Sequence, residues 1–274
     1  MRHVMVNGLP GKMATEVARL ISRSNGFVLV DHCLTGEEIK EKSLRVDDKM
    51  VELVRPLQRG GLVDLTKENK QWPFLAVDFS HPNAVNDNAG FYCENKLPFV
   101  MGTTGGNRDL LVETVRRSEI CAVIAPNMAS QIVALQAMIE YGAKNFPGSF
   151  EGFKLRIVES HQKGKVDTSG TAKAMVKQFN SLGMQFDVKD IEMVREPHAQ
   201  LLRMGVSEKH LDGHGYHTYD FVLPDGSIAF SITHNVNGRL PYAVGTLKAL
   251  SFLSQKVNEG VKGKVFTMID VLKG

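Results

Sequence analysis

Apolar residues in the first half of this chain come in short runs, each closed by small or polar residues and most of them followed by a helical period. Residues 3–7 form one such run, ended by Gly8-Leu9-Pro10-Gly11. From Met13 the apolar positions fall at Met13, Val17, Leu20 and Ile21, the i, i+4, i+7, i+8 stripe of an amphipathic helix. Residues 27–30 supply a second apolar strand, and residues 74–79 (FLAVDF) a buried one. After Ser80-His81-Pro82 a helical stretch reaches to about Lys96. Residues 99–101 end in Gly102-Thr103-Thr104-Gly105-Gly106, and residues 120–125 end in Pro126-Asn127-Met128. Units of this kind build an open parallel sheet whose carboxyl edge lines a ligand crevice.

The pattern changes after a helix over 130–145. A strand over 153–158 and a helix over 170–182 follow. Between His217 and His234 the alternation becomes antiparallel, with YDFVL and SIAFSIT joined by Pro224-Asp225-Gly226. Helix returns over 241–258, and residues 265–272 form a last apolar segment. The expected fold class is α/β, a Rossmann-like nucleotide-binding domain with a second, α+β domain.

The first turn has the spacing G-x-x-G-x-x-A. Gly8 permits the tight turn, Gly11 lets the backbone approach a pyrophosphate, and Ala14 allows close helix–strand packing. A plain βα turn fits that spacing equally well; the repeated α/β alternation around it favours the dinucleotide reading. The cofactor-binding residues are then one segment per strand end: Gly8, Pro10, Gly11, Lys12 and Met13; Phe79; Gly102, Thr103 and Thr104; and Ala125, Pro126, Asn127 and Met128.

The stretch 159–172, ESHQKGKVDTSGTA, carries the most chemistry. His161 exchanges a proton near neutral pH, and Lys165 brings a cation beside it. Ser169, Gly170 and Thr171 open a helix, whose outward N–H groups bind carboxylate or phosphate. A small anionic substrate suits this set, against the plainer reading of a capped surface loop.

Composition narrows the classes. At 274 residues, 43% apolar and 23% charged, the chain has the balance of one large or two smaller globular domains. A net charge of +3 with no basic stripe gives no case for nucleic acid, and no apolar stretch approaches a membrane span. Cys33, Cys93 and Cys121 match no metal spacing and read as reduced, buried thiols of an intracellular protein. His210, His214 and His217 lie close together around two glycines, without a carboxylate or cysteine at a familiar zinc spacing. They are expected in a flexible loop bordering the substrate pocket, and no metal is expected.

Taken together, GLPGKM, VDFSHP, GTTG, APNM, ESHQKGKVDTSGTA and THNVNGR, in this order, resemble the 4-hydroxy-tetrahydrodipicolinate reductase (dihydrodipicolinate reductase) family. The forms VDFSHPNAVNDNA, MGTTGG and ITHNVNGRLPYAVGT resemble its plant-type branch. The resemblance implies a nucleotide domain split over 1–128 and 240–274 and a substrate and oligomerisation domain over 129–239, the two closing over both ligands. It implies reduction of a small-molecule dicarboxylate in lysine/diaminopimelate biosynthesis, with NADPH or NADH as cofactor. His161 is then the proton donor/acceptor, and Lys165 stabilises developing negative charge. Gln162, Ser169, Gly170 and Thr171 line the substrate.

Two departures stand out. Gln162 replaces a second histidine, and a single Thr168 replaces Ala-Pro, which leaves open how the second carboxylate is held. The generic acid for a ribose hydroxyl would be Asp31, whereas the family places the discriminating position at Leu34-Thr35, so NADH against NADPH stays open. A homo-oligomer, dimer or tetramer, is implied. No signal or transit peptide is legible in MRHVMVNG, so the location is cytoplasmic, or the plastid stroma for a plant protein whose transit peptide has been removed. Another nicotinamide dehydrogenase of an amino-acid-like anion, or a non-catalytic dinucleotide sensor, remain the alternatives.

Overall fold

The first half of the chain lays down strands β1 (Arg2–Asn7), β2 (Phe27–Leu29), β3 (His32–Leu34), β4 (Ser43–Val46), β5 (Lys49–Val54), β6 (Phe74–Asp78), β7 (Phe99–Met101) and β8 (Cys121–Ile124). Helices α1 (Lys12–Ser22), α2 (Leu62–Glu68), α3 (Val85–Glu94) and α4 (Arg108–Arg116) lie between them. The middle holds α5 (Ser130–Asn145), β9 (Lys154–His161), α6 (Gly170–Ser181), β10 (Glu192–Val194), α7 (Pro197–Met204), β11 (His214–Val222) and β12 (Ala229–Asn237). Helix α8 (Leu240–Asn258), strand β13 (Lys264–Phe266) and helix α9 (Met268–Lys273) complete the order. This computed structural model describes residues Met1–Gly274. One unit comprises Met1–Ser130 with Tyr242–Gly274, the other Gln131–Pro241.

The first unit is built on a six-stranded sheet of order β13-β8-β7-β6-β1-β2, parallel throughout. Helices cover such a sheet on both faces, so its strands lose polar alternation. All five residues of β6, Phe-Leu-Ala-Val-Asp, are buried. Helix α1 buries Ala14, Val17, Ala18 and Ile21. The stripe is thus rotated from the expected Met13/Val17/Leu20/Ile21 line, because the two alanines let the helix lie close on the sheet while Met13 and Leu20 flank the contact half-buried. A small sheet, β3-β5-β4, follows β2 and has no counterpart in the sequence reading.

The second unit carries a sheet of order β10-β9-β11-β12. β9 runs parallel to β10 and antiparallel to β11, and β11 pairs antiparallel with β12 around the expected Asp225-Gly226 turn. Its core joins Ile157, Tyr219 and Phe221 of the sheet to Met175, Val176 and Phe179 of α6. Side chains alternate across a strand, so Ile157, Glu159 and His161 share the face that α6 covers.

Two expectations are corrected here. β9 runs on to His161, so that residue ends a strand instead of sitting in a loop, because pairing to Gly215 continues the ladder. His214 and His217 lie within β11 and are buried, not in a flexible loop; only His210 stands in a short turn before it. No helix is long and apolar enough to cross a membrane.

Candidate active site

Because β8, β7, β6 and β1 are parallel neighbours, the segments that follow them emerge at one edge. Backbone bonds extend the ladders into these turns: Phe79 N–H to Asn7 O, Gly102 N–H to Asp78 O, and Ala125 N–H to Met101 O. The first turn is tightly wound. Gly8 has φ +100°, and a Cβ there would lie 2.4 Å from Phe79 O. Gly11 N–H donates to Gly8 O at 2.9 Å, and a Cβ on Gly11 would lie 2.7 Å from that same carbonyl. Gly11 is therefore required by its own turn. A Cβ on Gly102 would strike the Phe79 ring at 2.2 Å. Helix α1 starts at Gly11 without a side-chain cap, so its first N–H groups are offered to an anion.

Beneath this edge lies a polar hub that sequence reasoning passed over. Asp78, fully buried at the end of β6, accepts from Tyr92 Oη (2.6 Å), Asn88 Nδ2 (2.9 Å), and the N–H and Oγ of Ser80 (2.9 and 2.6 Å). Asn7 Nδ2 donates to Tyr92 Oη, and Asn7 Oδ1 accepts Leu34 N–H. Leu34 O in turn accepts Gly8 N–H, and Thr35 Oγ1 donates to Leu9 O. The discriminating pair Leu34-Thr35 is thereby bound to the glycine turn. Asp31 is engaged elsewhere, with Lys49 Nζ 2.5 Å and Gln71 Nε2 2.6 Å from its carboxylate. Ala125 and Met128 are buried, while Lys12, Pro126 and Thr104 are exposed.

In the second unit the apolar face of the sheet turns charged toward the start of α6. Glu159, fully buried, accepts Arg195 Nη2 at 2.6 Å and the Ser169 N–H at 3.0 Å. Arg195 also donates Nε–H to Lys165 O (2.8 Å), and so ties the loop after β9 to that carboxylate. Gln200, buried in α7, donates to His161 O. Ser169 caps α6, its Oγ accepting from Thr171 N–H. Its N–H belongs to Glu159 and its hydroxyl takes the Thr171 N–H, so two of the three N–H groups of the expected anion cradle are engaged within the protein. Lys165, half-buried, places Nζ 2.9 Å from Oδ1 of the exposed Asp167, a pair open to solvent on its acidic side and of the kind that contributes little.

His161 is 12% exposed, and its Nδ1 lies 3.8 Å from Glu159 Oε2. Burial, chiefly, holds it well below the usual histidine range, to about 3; His217, Arg195 and Lys165 push the same way and Glu159 opposes them. For Glu159 burial favours the neutral form, but contacts from His217 and Arg195 and the charge of His161 outweigh it, holding the carboxyl at about 2. Glu159, His161 and His217 bring metal-competent atoms within 4.8 Å of one another. The Arg195 guanidinium pairs with the other oxygen of that carboxylate, Oε1. The cysteines are unpaired, and burial raises Cys33 to about 12 and Cys121 to about 11, which leaves both inert as nucleophiles.

Residues 2–128 match the family described as dihydrodipicolinate reductase, N-terminus, and residues 131–272 match dihydrodipicolinate reductase, C-terminus. The chain belongs to the dihydrodipicolinate reductase family. It is 42% identical over 271 residues to a probable 4-hydroxy-tetrahydrodipicolinate reductase 1, chloroplastic, of Oryza sativa subsp. japonica, covering 98% of this chain and 78% of the rice protein. The chloroplastic reductase 1 of Arabidopsis thaliana is 40% identical, covering 98% and 77%. Dipicolinate-bound dihydrodipicolinate reductase from Paenisporosarcina sp. TG-14 shares the fold at TM-score 0.67, with 18% identity and 97% of each chain covered.

As a member of this reductase family the chain is an oxidoreductase with a dinucleotide-binding fold, and its homologues act in lysine/diaminopimelate biosynthesis. The turn wound on Gly8 and Gly11 and the uncapped start of α1 suit a dinucleotide's phosphates. Sequence reasoning gave no role to Glu159, Arg195 or His234, and placed His217 beside the substrate pocket but in a loop. Glu159 and His161 stand two apart on one strand, which was a usable signal. The partners on β10 and β11 come from register, which a single sequence does not display.

Proposed function

We propose that this chain reduces 4-hydroxy-tetrahydrodipicolinate to tetrahydrodipicolinate, using NADPH or NADH. The observation that carries this reading is the arrangement at the end of β9. A proton-exchanging imidazole, a lysine and a helix N-terminus lie on one scaffold, held by the Glu159–Arg195 pair. A reduced nicotinamide supplies a hydride to C4 of the ring. The chain's own residues do the rest. Water forms from the C4 hydroxyl and a hydrogen of the neighbouring carbon, and His161 returns a proton to that carbon once C4 has taken the hydride. Lys165 releases Asp167 and stabilises the negative charge that develops. Gly170 and Thr171 hold one carboxylate at the start of α6, and Gln162 reaches toward the ring.

Gly8, Pro10, Gly11, Lys12, Met13, Phe79, Gly102, Thr103, Thr104 and the stretch 125–128 are proposed to hold the cofactor. Asp31 is neutralised by Lys49 and so offers no free acid to repel a 2′-phosphate. We therefore expect both nucleotides to serve, with kcat/KM values within about tenfold of each other, a gap of about 1.4 kcal/mol. β12 is an open edge carrying exposed Phe230, which supports a homo-oligomer; sedimentation as a monomer alone would remove that part.

The test is turnover. 4-Hydroxy-tetrahydrodipicolinate should be consumed with loss of nicotinamide absorbance, and pyridine-2,6-dicarboxylate should compete with it. A sensor without chemistry would bind nucleotide and consume nothing. A different dehydrogenase would act on an amino acid and leave this substrate untouched.

A further inference from the structure

A row of ionisable side chains crosses the second sheet behind His161. Glu159 is the direct partner of His217, and His217 of His234. Directly opposed side chains on antiparallel strands lie about 4.5–5.5 Å apart at Cβ, so register alone assembles the row. Two residues along β9, His161 faces Gly215. With no side chain in that place, the imidazole rests edge-on over His217, ring centroids 5.0 Å apart at 77°. Its Nδ1 lies 3.8 Å from Glu159 Oε2, and His217 Nε2 lies 3.6 Å from the same oxygen. Both nitrogens are buried and have no other partner.

We propose that Glu159, with His217 beside it, is the positioning group for His161. Its carboxylate fixes the proton of the neutral ring on Nδ1, leaves Nε2 as the atom that exchanges a proton with the ligand, and stabilises the imidazolium. This rests on His161 being the proton donor. Glu159 is held by Arg195 and the Ser169 N–H and cannot swing away. An ionised carboxylate only accepts, so the nitrogen facing it must carry hydrogen. The 3.8 Å separation is longer than a hydrogen bond, and contacts of this kind tighten when ligand binds. Four charged or titratable groups face His161: Glu159 from its own strand, His217 from β11, Arg195 from beyond β10, and Lys165 from the loop. Only Glu159 favours the charged ring. When the imidazolium breaks its Nε2–H bond and the substrate carbon gains C–H, the neutral ring keeps its other proton on Nδ1. Solvent then restores the proton on Nε2.

The experiment uses the full chain labelled with ¹⁵N-histidine, His161 being assigned by the signal lost in His161→Gln. At alkaline pH the long-range ¹H–¹⁵N pattern should show hydrogen on Nδ1 and a bare Nε2; the opposite tautomer overturns the proposal. Glu159→Gln keeps size and an acceptor but removes the charge. Its kcat should fall by about 10²-fold, the low end of a positioned acid's contribution, with KM moved far less. The alkaline limb of its kcat profile should shift toward acid, and Glu159→Asp should restore part of that shift. An unmoved limb in Glu159→Gln overturns the proposal, because a merely structural carboxylate would not set it. Should Glu159→Gln fail to fold, the tautomer in the wild-type chain decides alone. Near-normal turnover in His161→Gln would end the proton-donor reading separately, leaving the tautomer result intact.

Discussion

His161 is neutral at rest, and that constrains how a proton donor can work there. Burial and three neighbouring groups hold its proton off to about pH 3, so charge must arrive with the ligand. A dicarboxylate bound beside it favours the imidazolium, and binding should take up a proton at neutral pH. Calorimetric titration with pyridine-2,6-dicarboxylate in buffers of different ionisation enthalpy should show net uptake; no dependence on the buffer would mean His161 stays neutral in the complex. His161→Gln should lower kcat by about 10²–10⁴-fold while nucleotide binding persists, the usual loss for a positioned acid. Lys165→Met should damage both kcat and KM, because it deletes the cation proposed to meet both the bound anion and the charge that develops. Thr171→Val should act mainly on KM, as a loss of uniform binding.

At the level of elements, the glycines that matter are those pressed against carbonyls. A Cβ on Gly245, in α8, would fall 1.6 Å from Met128 O, so that helix lies directly on the turn after β8. Gly245→Ala should cost about 1–3 kcal/mol of stability by denaturant unfolding, as overpacking does. Gly11→Val should weaken nucleotide binding and stability together, since its side chain meets Gly8 O before it meets any ligand. The strands β1, β6, β7 and β8 and the hairpin β11–β12 were legible from apolar runs and one turn. The small sheet β3-β5-β4 was not, because β3 is a three-residue buried run and β4 and β5 alternate irregularly, so none carries a clear period. His161 and Lys165 were legible as chemistry. Arg195 was not, because it reaches Glu159 from 36 residues away through the pairing of β10 with β9.

For the molecule as a whole, the buried histidines make stability depend on acidity. His161 and His234 are held to about 3 and 4 in the folded chain, and His214 is also lowered; burial is the main cause in each. The unfolded chain, near 6.5 for histidine, binds more protons across that window. Stability should therefore be full above about pH 6.5 and fall as pH drops toward 4. Glu159, held at about 2, adds a further loss below about 4.5. Urea midpoints at pH 7.5, 5.5 and 4.5 should decline in that order; a flat series would contradict the burial. The order of the six-stranded sheet has a consequence on the ribosome. β13 pairs with β8, yet 139 residues lie between Ile124 and Lys264, and the whole second unit is synthesised among them. Nascent chains arrested once Pro241 has cleared the exit tunnel should hold a protease-resistant core from Gln131 to Pro241 and a still-cleavable amino-terminal half, which becomes resistant only when Lys264–Phe266 emerge.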